Sequence, residues 1–571
     1  MKDVVFVVPA RSASLYEDFQ GTLLLATVLK LQGLAVHIHH FYEVNAKQSF
    51  DEFVGQTVHK ILSHQPKIVS FYCRGDCYLA NLMIARELKE RCPQLYIVLG
   101  GPQADASAEA TLEEIPWVDF CCCGEGESTV YPLFSALLQG QDYSSVAGLV
   151  YRAHDGNIVH NENPPMTADL DELPYIDFDF LDPVAVEHSL RSGTAATIEA
   201  GRGCPFNCAY CSSTLFWKRK FRLKSAKRIV DEMVRMHEQL GVRKFIFQHD
   251  LFTVNKKKVM EFTQEMKRRG TDFVWACSSR ADTLDEATID AMAEAGLKSV
   301  FIGVESGSER MQKEMNKNLK VADILRVTAA LRKNNIKVRA SFIYALPEET
   351  EEDLEQTLQV AYRLLKMGVK SFQMHLCVIF PGTEYYRRYA DEIVLSTTQS
   401  DVINDFGFEQ CQDFIRQHQK LFSFCYEYPS ELRTRFAPLT HYMTDLLLIY
   451  EQLERFAPEV YAAKPMTQIA LELMGLYDSY PLHKDAYAMG ADYAARYCPE
   501  DIREQAVTAF TYLSDYEKAA ANPKFNVSLK NYPLDLAGML EGKPLSQLSR
   551  GETMVYLRKD NGKLNVSMKT L

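Results

Sequence analysis

Three cysteines lie close together at Cys204, Cys208 and Cys211, in the segment GRGCPFNCAYC. Three thiolates on one short loop can ligate three irons of a cubane iron–sulfur cluster and leave the fourth iron open. An open iron is what a small chelating molecule requires. Zinc is the alternative, but a zinc site usually has a fourth Cys or His at matching spacing, and none lies close by in the sequence. The spacing therefore predicts a metal centre and favours iron–sulfur over zinc.

A CxxxCxxC segment directly after a predicted strand resembles the radical S-adenosylmethionine superfamily. In that family the open iron is chelated by the amino and carboxylate groups of S-adenosylmethionine, and one electron from the cluster cleaves the sulfonium to a deoxyadenosyl radical. The resemblance implies a 4Fe-4S cluster on the three cysteines and S-adenosylmethionine as a cofactor. It also implies that Tyr210, the aromatic residue before the third cysteine, lies near the adenine.

Other segments of this region agree with the resemblance. FIGVESGSERM resembles the fourth-strand motif of the family, in which Gly303, Glu305 and Ser306 would lie near the ribose and methionine of the cofactor; ordinary strand-end turn chemistry is the alternative. Arg280 offers a planar fork that matches the methionine carboxylate, although a surface salt bridge explains it nearly as well. Asp250, in FQHDLFT, occupies the place where many relatives carry an acidic residue. The turn ALPEETEED departs from the family pattern, because Ala345 and Glu348 stand where glycines are typical.

Strands and helices must position these residues. From TAATIEAG to SFQMHLCVIFPGT, six apolar runs alternate with amphipathic stretches. This alternation predicts a parallel barrel of βα units, a partial one with an open side.

The first 145 residues show the same rhythm, which predicts a doubly wound, Rossmann-like parallel sheet. Ligands of such sheets bind outside the carboxyl ends of the strands. The candidate loops here are residues 9–14, 73–77, 100–103 and 124–127.

A sheet domain in front of the barrel, the loop LGGPQAD, the segment GEGE and the linker DLDELPYIDF resemble the radical enzymes with a cobalamin-binding domain. The resemblance implies cobalamin as a further cofactor. Helix capping and tight-turn geometry explain each feature alone, so the combination carries the prediction. The residues expected at the cobalamin are Gly100, Gly101, Pro102, Gln103, Gly124, Glu125 and Glu127.

The residue beneath the cobalt is a separate question. The DxHxxG sequence by which many cobalamin domains supply a histidine is absent, and His37, His39 and His40 lack its spacing. We expect cobalamin to bind without a His ligand, with Cys73 or Arg74 below the cobalt; a surface arginine is the alternative for Arg74.

Four segments follow from this pattern. We predict a cobalamin-binding domain over residues 1–145, a linker over 146–190, a radical barrel over 191–385 and a mostly helical region over 386–571, which ends in a hairpin around Asp560–Asn561–Gly562.

Bulk composition excludes several classes of function. Lys and Arg number 63 against 75 Asp and Glu, a net charge of -12, and no basic stripe favours nucleic acid. We find no signal peptide and no apolar run long enough to span a membrane, so we expect a cytoplasmic enzyme. The 14 cysteines fit a reducing compartment, and Cys121, Cys122 and Cys123 fit a buried strand better than a metal site.

The leading hypothesis is a cobalamin-dependent radical C-methyltransferase that receives electrons from an external donor such as flavodoxin or ferredoxin. The alternative is a radical oxidoreductase or cyclase in which cobalamin has another role or is absent. A ligand sensor without catalysis is disfavoured by the three intact cysteines. The substrate is undetermined: a peptide, a tetrapyrrole, a lipid and a small natural product all remain open.

Overall fold

The computed structural model describes residues 2–9, 20–41, 48–181, 183–396, 407–478, 481–482, 484–522, 527–548, 552–560 and 563–570. The chain divides into two compact units. The first contains Met1–Gly303, Gln312–Val338 and Cys377–Pro429, and the second contains Val304–Met311, Arg339–Leu376 and Ser430–Leu571.

The chain begins with a sheet of seven strands, in the order β2-β1-β3-β4-β5-β6-β7. The first five strands are parallel, and β6 and β7 join antiparallel as a hairpin. The strands are β1 (Val4–Pro9), β2 (Val36–Phe41), β3 (Ile68–Tyr72), β4 (Tyr96–Gly100), β5 (Phe120–Cys122), β6 (Leu149–Arg152) and β7 (Ile158–His160). The helices are α1 (Gln20–Leu31), α2 (Phe50–Ser63), α3 (Tyr78–Arg91), α4 (Pro102–Ala106), α5 (Ala108–Glu114) and α6 (Val130–Gln139).

This architecture follows from the sequence pattern. Every residue from Val4 to Val8 is buried, as expected for a parallel strand covered on both faces. Helix α2 begins at a capping box formed by Ser49 and Glu52. The predicted doubly wound sheet is confirmed, with one difference. The hairpin β6–β7 lies in the predicted linker but pairs with β5, so the sheet extends to His160.

The rest of the linker binds back onto folded elements. The backbone N–H of Asp177 donates to Thr27 Oγ1 of α1 at 2.9 Å. The linker also meets the helix Ala226–Leu240, where Arg228 Nη2 donates to Pro174 O at 3.0 Å and the guanidinium lies 3.7 Å from the ring centre of Tyr175. The described part of the linker is therefore bound to helices on both sides of it.

A second βα series follows. In the first unit β8, β11, β12 and the start of β13 run parallel side by side, and β9 pairs antiparallel with β10. The elements are α7 (Pro183–Ser192), β8 (Ala196–Glu199), β9 (Gly201–Arg202), α8 (Ser213–Phe216), β10 (Arg222–Leu223), α9 (Ala226–Leu240), β11 (Lys244–Gln248), α10 (Lys256–Arg269), β12 (Val274–Ser279), α11 (Glu286–Glu294), β13 (Leu297–Glu305), α12 (Glu309–Glu314) and α13 (Val321–Lys333).

The series continues with β14 (Lys337–Tyr344), α14 (Glu351–Lys366) and β15 (Ser371–Leu376), and β14 and β15 pair in parallel. The six predicted parallel strands are thus β8 and β11 to β15. A short segment of the first unit then carries α15 (Glu384–Tyr389), β16 (Val394–Leu395), α16 (Gln412–Gln417) and β17 (Tyr426–Glu427).

The C-terminal part of the second unit is mostly helical, as predicted. Its elements are α17 (Glu431–Phe436), α18 (Leu439–Phe456), α19 (Pro458–Tyr461), α20 (Met466–Met474), α21 (Ala486–Tyr497), α22 (Glu500–Ala521), β18 (Val527–Tyr532), α23 (Leu536–Leu540), β19 (Thr553–Asp560) and β20 (Lys563–Thr570). Strands β19 and β20 pair antiparallel, as the predicted terminal hairpin requires, while Asn561 and Gly562 of its turn lie outside the described residues. Among the helices that the structure describes, none combines the length and apolar character needed to cross a bilayer.

Candidate functional site

The three cysteines lie on the loop between β9 and α8, residues 203–212, which we call the thiol loop. All three side chains are half-buried and none forms a disulfide. Gly203 opens the loop with φ of 83°, and a Cβ there would lie 1.9 Å from the carbonyl oxygen of Lys220. Only glycine fits this conformation and this contact. The ladder of β9 with β10 therefore fixes where the thiol loop begins.

Backbone hydrogen bonds hold the loop from two other sides. The N–H of Ala209 donates to Met315 O at 2.9 Å, and the N–H of Tyr385 donates to Ala209 O at 3.1 Å. Asn316 Nδ2 donates to Asn207 O at 2.8 Å. These hydrogen bonds anchor the middle of the thiol loop, at the residues on either side of Cys208.

The donor set fits an iron–sulfur cluster. Burial raises the pKa of Cys204, and it raises the pKa of Cys211 to about 11. Such thiols stay protonated at neutral pH until a metal compensates the thiolate charge. Within the described ranges no three or more His, Cys, Asp or Glu side chains are placed to hold a metal ion. A cubane makes a different demand, because each thiolate binds its own iron.

A cavity of about 630 Å³ lies between the carboxyl ends of the first sheet and the thiol loop. From the sheet side, its wall includes Tyr72, Gly100, Gly101, Pro102 and Gly124. From the other side it includes Gly203, Ser213, Trp217, His249 and Asp250. One space therefore touches the loops predicted to bind cobalamin and, at Gly203 and Ser212, the two ends of the thiol loop. The described lining does not include the three cysteines themselves.

Buried ion pairs join the two sides of this cavity, and we call them the arginine–carboxylate cluster. Arg202, 4% exposed, contacts Glu125 at 3.0 Å, Glu127 at 2.6 Å and Glu199 at 2.8 Å. Arg222 contacts Glu125 at 2.7 Å. Burial opposes ionisation of Glu125, but Arg222 and Arg202 outweigh it and hold the pKa of that carboxyl below its usual value. The arginine–carboxylate cluster stabilises β9, which ends at Arg202, one residue before the thiol loop begins.

The predicted cobalamin residues divide into two groups. Gly100, Gly101, Pro102 and Gly124 line the cavity, and Gly101 has φ of 97° with Cys73 O 2.9 Å from the place of a Cβ. Glu125 and Glu127 also line it, but the arginine–carboxylate cluster occupies their carboxylates. The described lining does not include Gln103, whose Nε2 donates to Leu421 O at 3.1 Å.

The two residues predicted to lie beneath the cobalt are not among the described residues that line the cavity. Cys73 is fully buried and donates to Phe71 O at 3.7 Å, and burial raises its pKa to about 12. The guanidinium of Arg74 donates two hydrogen bonds to the carboxylate of Asp76, at 3.0 and 2.6 Å. Of this loop, the described lining includes Tyr72 but neither Cys73 nor Arg74.

The three histidines of β2 are also not among the described residues that line the cavity. The rings of His37 and His64 lie with centroids 3.9 Å apart. Burial lowers the pKa of His37 and of His39 to about 4 in each case.

Three residues predicted to bind S-adenosylmethionine surround the thiol loop. Asp250 accepts a hydrogen bond from Ser213 Oγ at 2.8 Å, and burial raises its pKa. Lys317 Nζ lies 3.5 Å from the hydroxyl of Tyr210. Arg280 is buried, which excludes a surface salt bridge.

Arg280 is already well supplied with partners. Its guanidinium binds Asp282 at 3.0 and 2.9 Å, donates to Lys317 O at 2.8 Å and lies 3.8 Å from the ring centre of Phe206. Its Nη1 also approaches Cys208 Sγ at 3.9 Å. These contacts position the thiol loop, while binding of the methionine carboxylate by Arg280 stays a prediction.

The fourth-strand motif spans the division between the units. Gly303 ends a segment of the first unit, and Glu305 and Ser306 belong to the second. Glu305 is buried with φ of 63°, and Ser306 Oγ lies 3.0 Å from Thr357 Oγ1. Their contact with a cofactor stays a prediction.

His249 is a residue that the sequence did not single out. It is 7% exposed and lines the cavity, and neither ring nitrogen has a hydrogen-bond partner among the described residues. Its only sequence signal is its place directly before Asp250, at the end of β11. A buried imidazole on a cavity wall, with no hydrogen-bond partner in the part of the chain that the structure describes, is a candidate contact for a molecule in that cavity.

Comparisons with known proteins identify the family and several relatives of this chain. A model of the Radical SAM superfamily matches residues 198–361. An uncharacterized methyltransferase of Pyrococcus horikoshii is 30% identical over 327 residues, which cover 57% of this chain and 70% of that protein. The anaerobic magnesium-protoporphyrin IX monomethyl ester cyclase of Rubrivivax gelatinosus is 32% identical over 286 residues. That match covers 49% of this chain and 51% of the cyclase, so the chain spans about half of the cyclase's length.

A solved structure resembles the fold over more of the chain. It is the radical S-adenosylmethionine methyltransferase TsrM of Kitasatospora setae, with cobalamin and a [4Fe-4S] cluster bound. The TM-score is 0.56 at 16% identity, and the match covers 68% of this chain and 75% of that one. At this identity the likeness establishes the fold alone.

Proposed function

Because the chain belongs to the radical S-adenosylmethionine superfamily, we propose that it is a cobalamin-dependent methyltransferase that acts on an unactivated carbon atom. The observation that carries the proposal is the cavity, whose wall includes Gly100 and Gly101 from the first sheet and Gly203 from the thiol loop. A substrate radical must meet the methyl donor without diffusing away, so both cofactors have to open onto one space. The TsrM structure holds both cofactors on a similar fold, which supports the same assignment here.

The residues take distinct roles in this proposal. Cys204, Cys208 and Cys211 hold a 4Fe-4S cluster whose open iron receives S-adenosylmethionine. Gly100 and Gly101 allow the backbone to approach a bulky cobalamin. Once bound, the cluster and S-adenosylmethionine supply a hydrogen-abstracting radical, and cobalamin supplies the methyl group.

Positioning falls to the surrounding side chains. Arg280 and the arginine–carboxylate cluster hold the thiol loop. Aromatic side chains, among them Tyr72 and Trp217, line the cavity and exclude water from a reactive radical. An external electron donor and a cytoplasmic location complete the proposal.

The second candidate is a radical cyclase or oxidoreductase. The observation in its favour is the 32% identity to the Rubrivivax gelatinosus cyclase. The methyltransferase is preferred because the Pyrococcus horikoshii relative matches over a larger share of both proteins. The substrate class stays open between a peptide, a tetrapyrrole, a lipid and a small natural product.

Methyl loading of cobalamin separates the two candidates without knowledge of the substrate. Enzyme purified anaerobically with cobalamin is reduced and incubated with S-adenosylmethionine that carries a trideuterated methyl group. We expect mass spectrometry to find trideuteromethyl-cobalamin on the protein. Bound cobalamin that never acquires the labelled methyl group would refute the methyltransferase and favour the cyclase or oxidoreductase.

Replacement of one cysteine tests the cluster assignment. Cys208→Ala should abolish cluster binding and the formation of deoxyadenosine under strong reduction, because two thiolates do not hold the cubane. Cys92→Ala is the matched control, since Cys92 is also a half-buried free cysteine but lies outside the thiol loop. Deoxyadenosine formation that persists in Cys208→Ala would contradict the assignment.

A further inference from the structure

Four exposed cations lie on two segments that contact the thiol loop. Lys218, Arg219 and Lys220 directly follow α8, and Arg387 lies on α15. All four are exposed, and all belong to the first compact unit. We call them the basic patch.

Two of these residues touch the thiol loop next to Cys204. The carbonyl of Lys220 lies against Gly203, so close that a Cβ on that glycine would be 1.9 Å from the oxygen. Arg219 Nε donates to Pro205 O at 3.2 Å. The basic patch is therefore in contact with the residues on both sides of Cys204.

Arg387 reaches the same surface from another element. Its Nη1 donates to Gly382 O at 2.7 Å, and a Cβ on Gly382 would lie 3.1 Å from Leu215 Cδ1 of α8. Since Tyr385 of α15 also bonds to Ala209 of the thiol loop, α15 is docked beside the cysteines. The patch is thus assembled from two elements that meet at one loop.

Among the described residues, none of the four cations of the basic patch forms an ion pair, whereas the neighbouring Arg388 pairs with Glu384. Lys218 acts on Asp105 only through its charge, and that carboxylate accepts the N–H of Gly124. On a chain of net charge -12, four exposed cations that have no ion pair in the described part of the chain attract an acidic partner selectively.

We propose that the basic patch is the docking surface for an acidic protein that delivers single electrons to the cluster, an inference that rests on the proposed function. The donor is a reduced flavin or iron–sulfur protein. It loses one electron and the oxidised cluster gains it. That electron then enters the sulfonium of S-adenosylmethionine, whose carbon–sulfur bond breaks to give methionine and the deoxyadenosyl radical. A nucleic acid fits less well, because it requires an extended basic stripe.

Binding and electron delivery are measured separately, with a bacterial flavodoxin as the probe. The test variant is Lys218→Gln with Lys220→Gln, which removes two charges and leaves the contact of Arg219 with Pro205 intact. The matched control is Lys267→Gln with Arg268→Gln. It also removes two exposed charges, which lie in the last turn of α10 and outside the basic patch. The ion pair of Lys267 with Glu294 is exposed and contributes little to stability. Arg268 is exposed as well, and Glu265, its partner, keeps its ion pair with Arg269 in the control variant.

We expect the Kd for oxidised flavodoxin to rise roughly tenfold in the test variant at low salt, and wild-type binding to weaken as salt rises. Deoxyadenosine formation at subsaturating reduced flavodoxin should fall by about the same factor. With titanium(III) citrate as the reductant, the test variant should match the wild type. The control variant should match the wild type in all three measurements.

Two results would overturn the docking surface alone: an unchanged Kd in the test variant, or an equal loss of deoxyadenosine with titanium(III) citrate, which would mean that the patch shapes the cluster site instead. A wild-type enzyme that binds no iron and makes no deoxyadenosine with titanium(III) citrate would refute the proposed function, and the docking surface with it.

Discussion

His249 combines deep burial, a place on the cavity wall and two ring nitrogens without partners among the described residues. Burial lowers its pKa from 6.5 to about 4. The unfolded chain therefore takes up a proton near pH 6.5, while the folded protein resists protonation until about pH 4. The free energy of unfolding must decline as the pH falls through this interval.

A variant that does not titrate exposes this effect. Relative to wild type, His249→Gln should gain about 2 kcal/mol between pH 7.5 and pH 5, because one pKa unit corresponds to about 1.4 kcal/mol. Thermal unfolding of both proteins at the two pH values measures the gain, and other histidines cancel in the comparison. A Tm difference that is the same at both pH values would contradict a buried, neutral His249.

Gly203 is the second residue on which the proposed site depends. Gly203→Ala should lower the iron content of reconstituted protein severalfold, because the new Cβ would collide with Lys220 O and displace the thiol loop. The control is Gly270→Ala, because Gly270 has φ of 62° and no atom of the described residues lies within 4 Å of the position of a Cβ there. It shares the backbone strain, about 1 kcal/mol, without the collision. Equal iron content in the two variants would show that the close contact is unimportant.

At the scale of elements, the sequence predicted what local patterns determine. Buried apolar runs such as Val4–Val8 and the alternation of strands with amphipathic helices indicated the two βα series. The attachment of the hairpin β6–β7 to β5 was not predicted, because strand pairing depends on tertiary contacts. The hydrogen bonds of the predicted linker to Thr27 and Arg228 were not predicted either, because they join residues that are far apart in the sequence.

The same reasoning explains which residues of the candidate site could be predicted from the sequence. The cysteines and the strand-end glycines carry a local signature, and the expected family was confirmed. Glu125 was predicted to bind a cofactor, whereas its carboxylate is bound by Arg202, which is 77 positions away in the sequence. A pair so distant leaves no periodic signal. His249 was missed because a single histidine after a strand is no motif.

At the scale of the whole molecule, the arginine–carboxylate cluster links the first sheet to the start of the thiol loop. Arg202→Gln would leave Glu125, Glu127 and Glu199 buried with less positive charge, at a cost of about 3–5 kcal/mol. We expect Tm to fall by several degrees and iron content to fall with it. Arg243→Gln is the control, since its pair with Asp272 is exposed and should change Tm little.

A second substitution tests whether the ion pairs of the arginine–carboxylate cluster depend on one another. Glu127→Gln removes one of the stranded carboxylates, so the Tm of Arg202→Gln with Glu127→Gln should exceed that of Arg202→Gln alone. A strictly additive loss would contradict the coupling of these ion pairs.

The methyltransferase proposal requires cobalamin and the cluster to open onto the same cavity, and magnetic resonance can detect their proximity. Electron paramagnetic resonance is recorded on enzyme that contains cob(II)alamin, first with the cluster oxidised and then with it reduced. We expect the cob(II)alamin signal to broaden when the cluster becomes paramagnetic, and Cys208→Ala, without a cluster, to show no broadening. A cob(II)alamin signal that is indifferent to reduction of an intact cluster would place the two cofactors far apart and contradict the shared cavity.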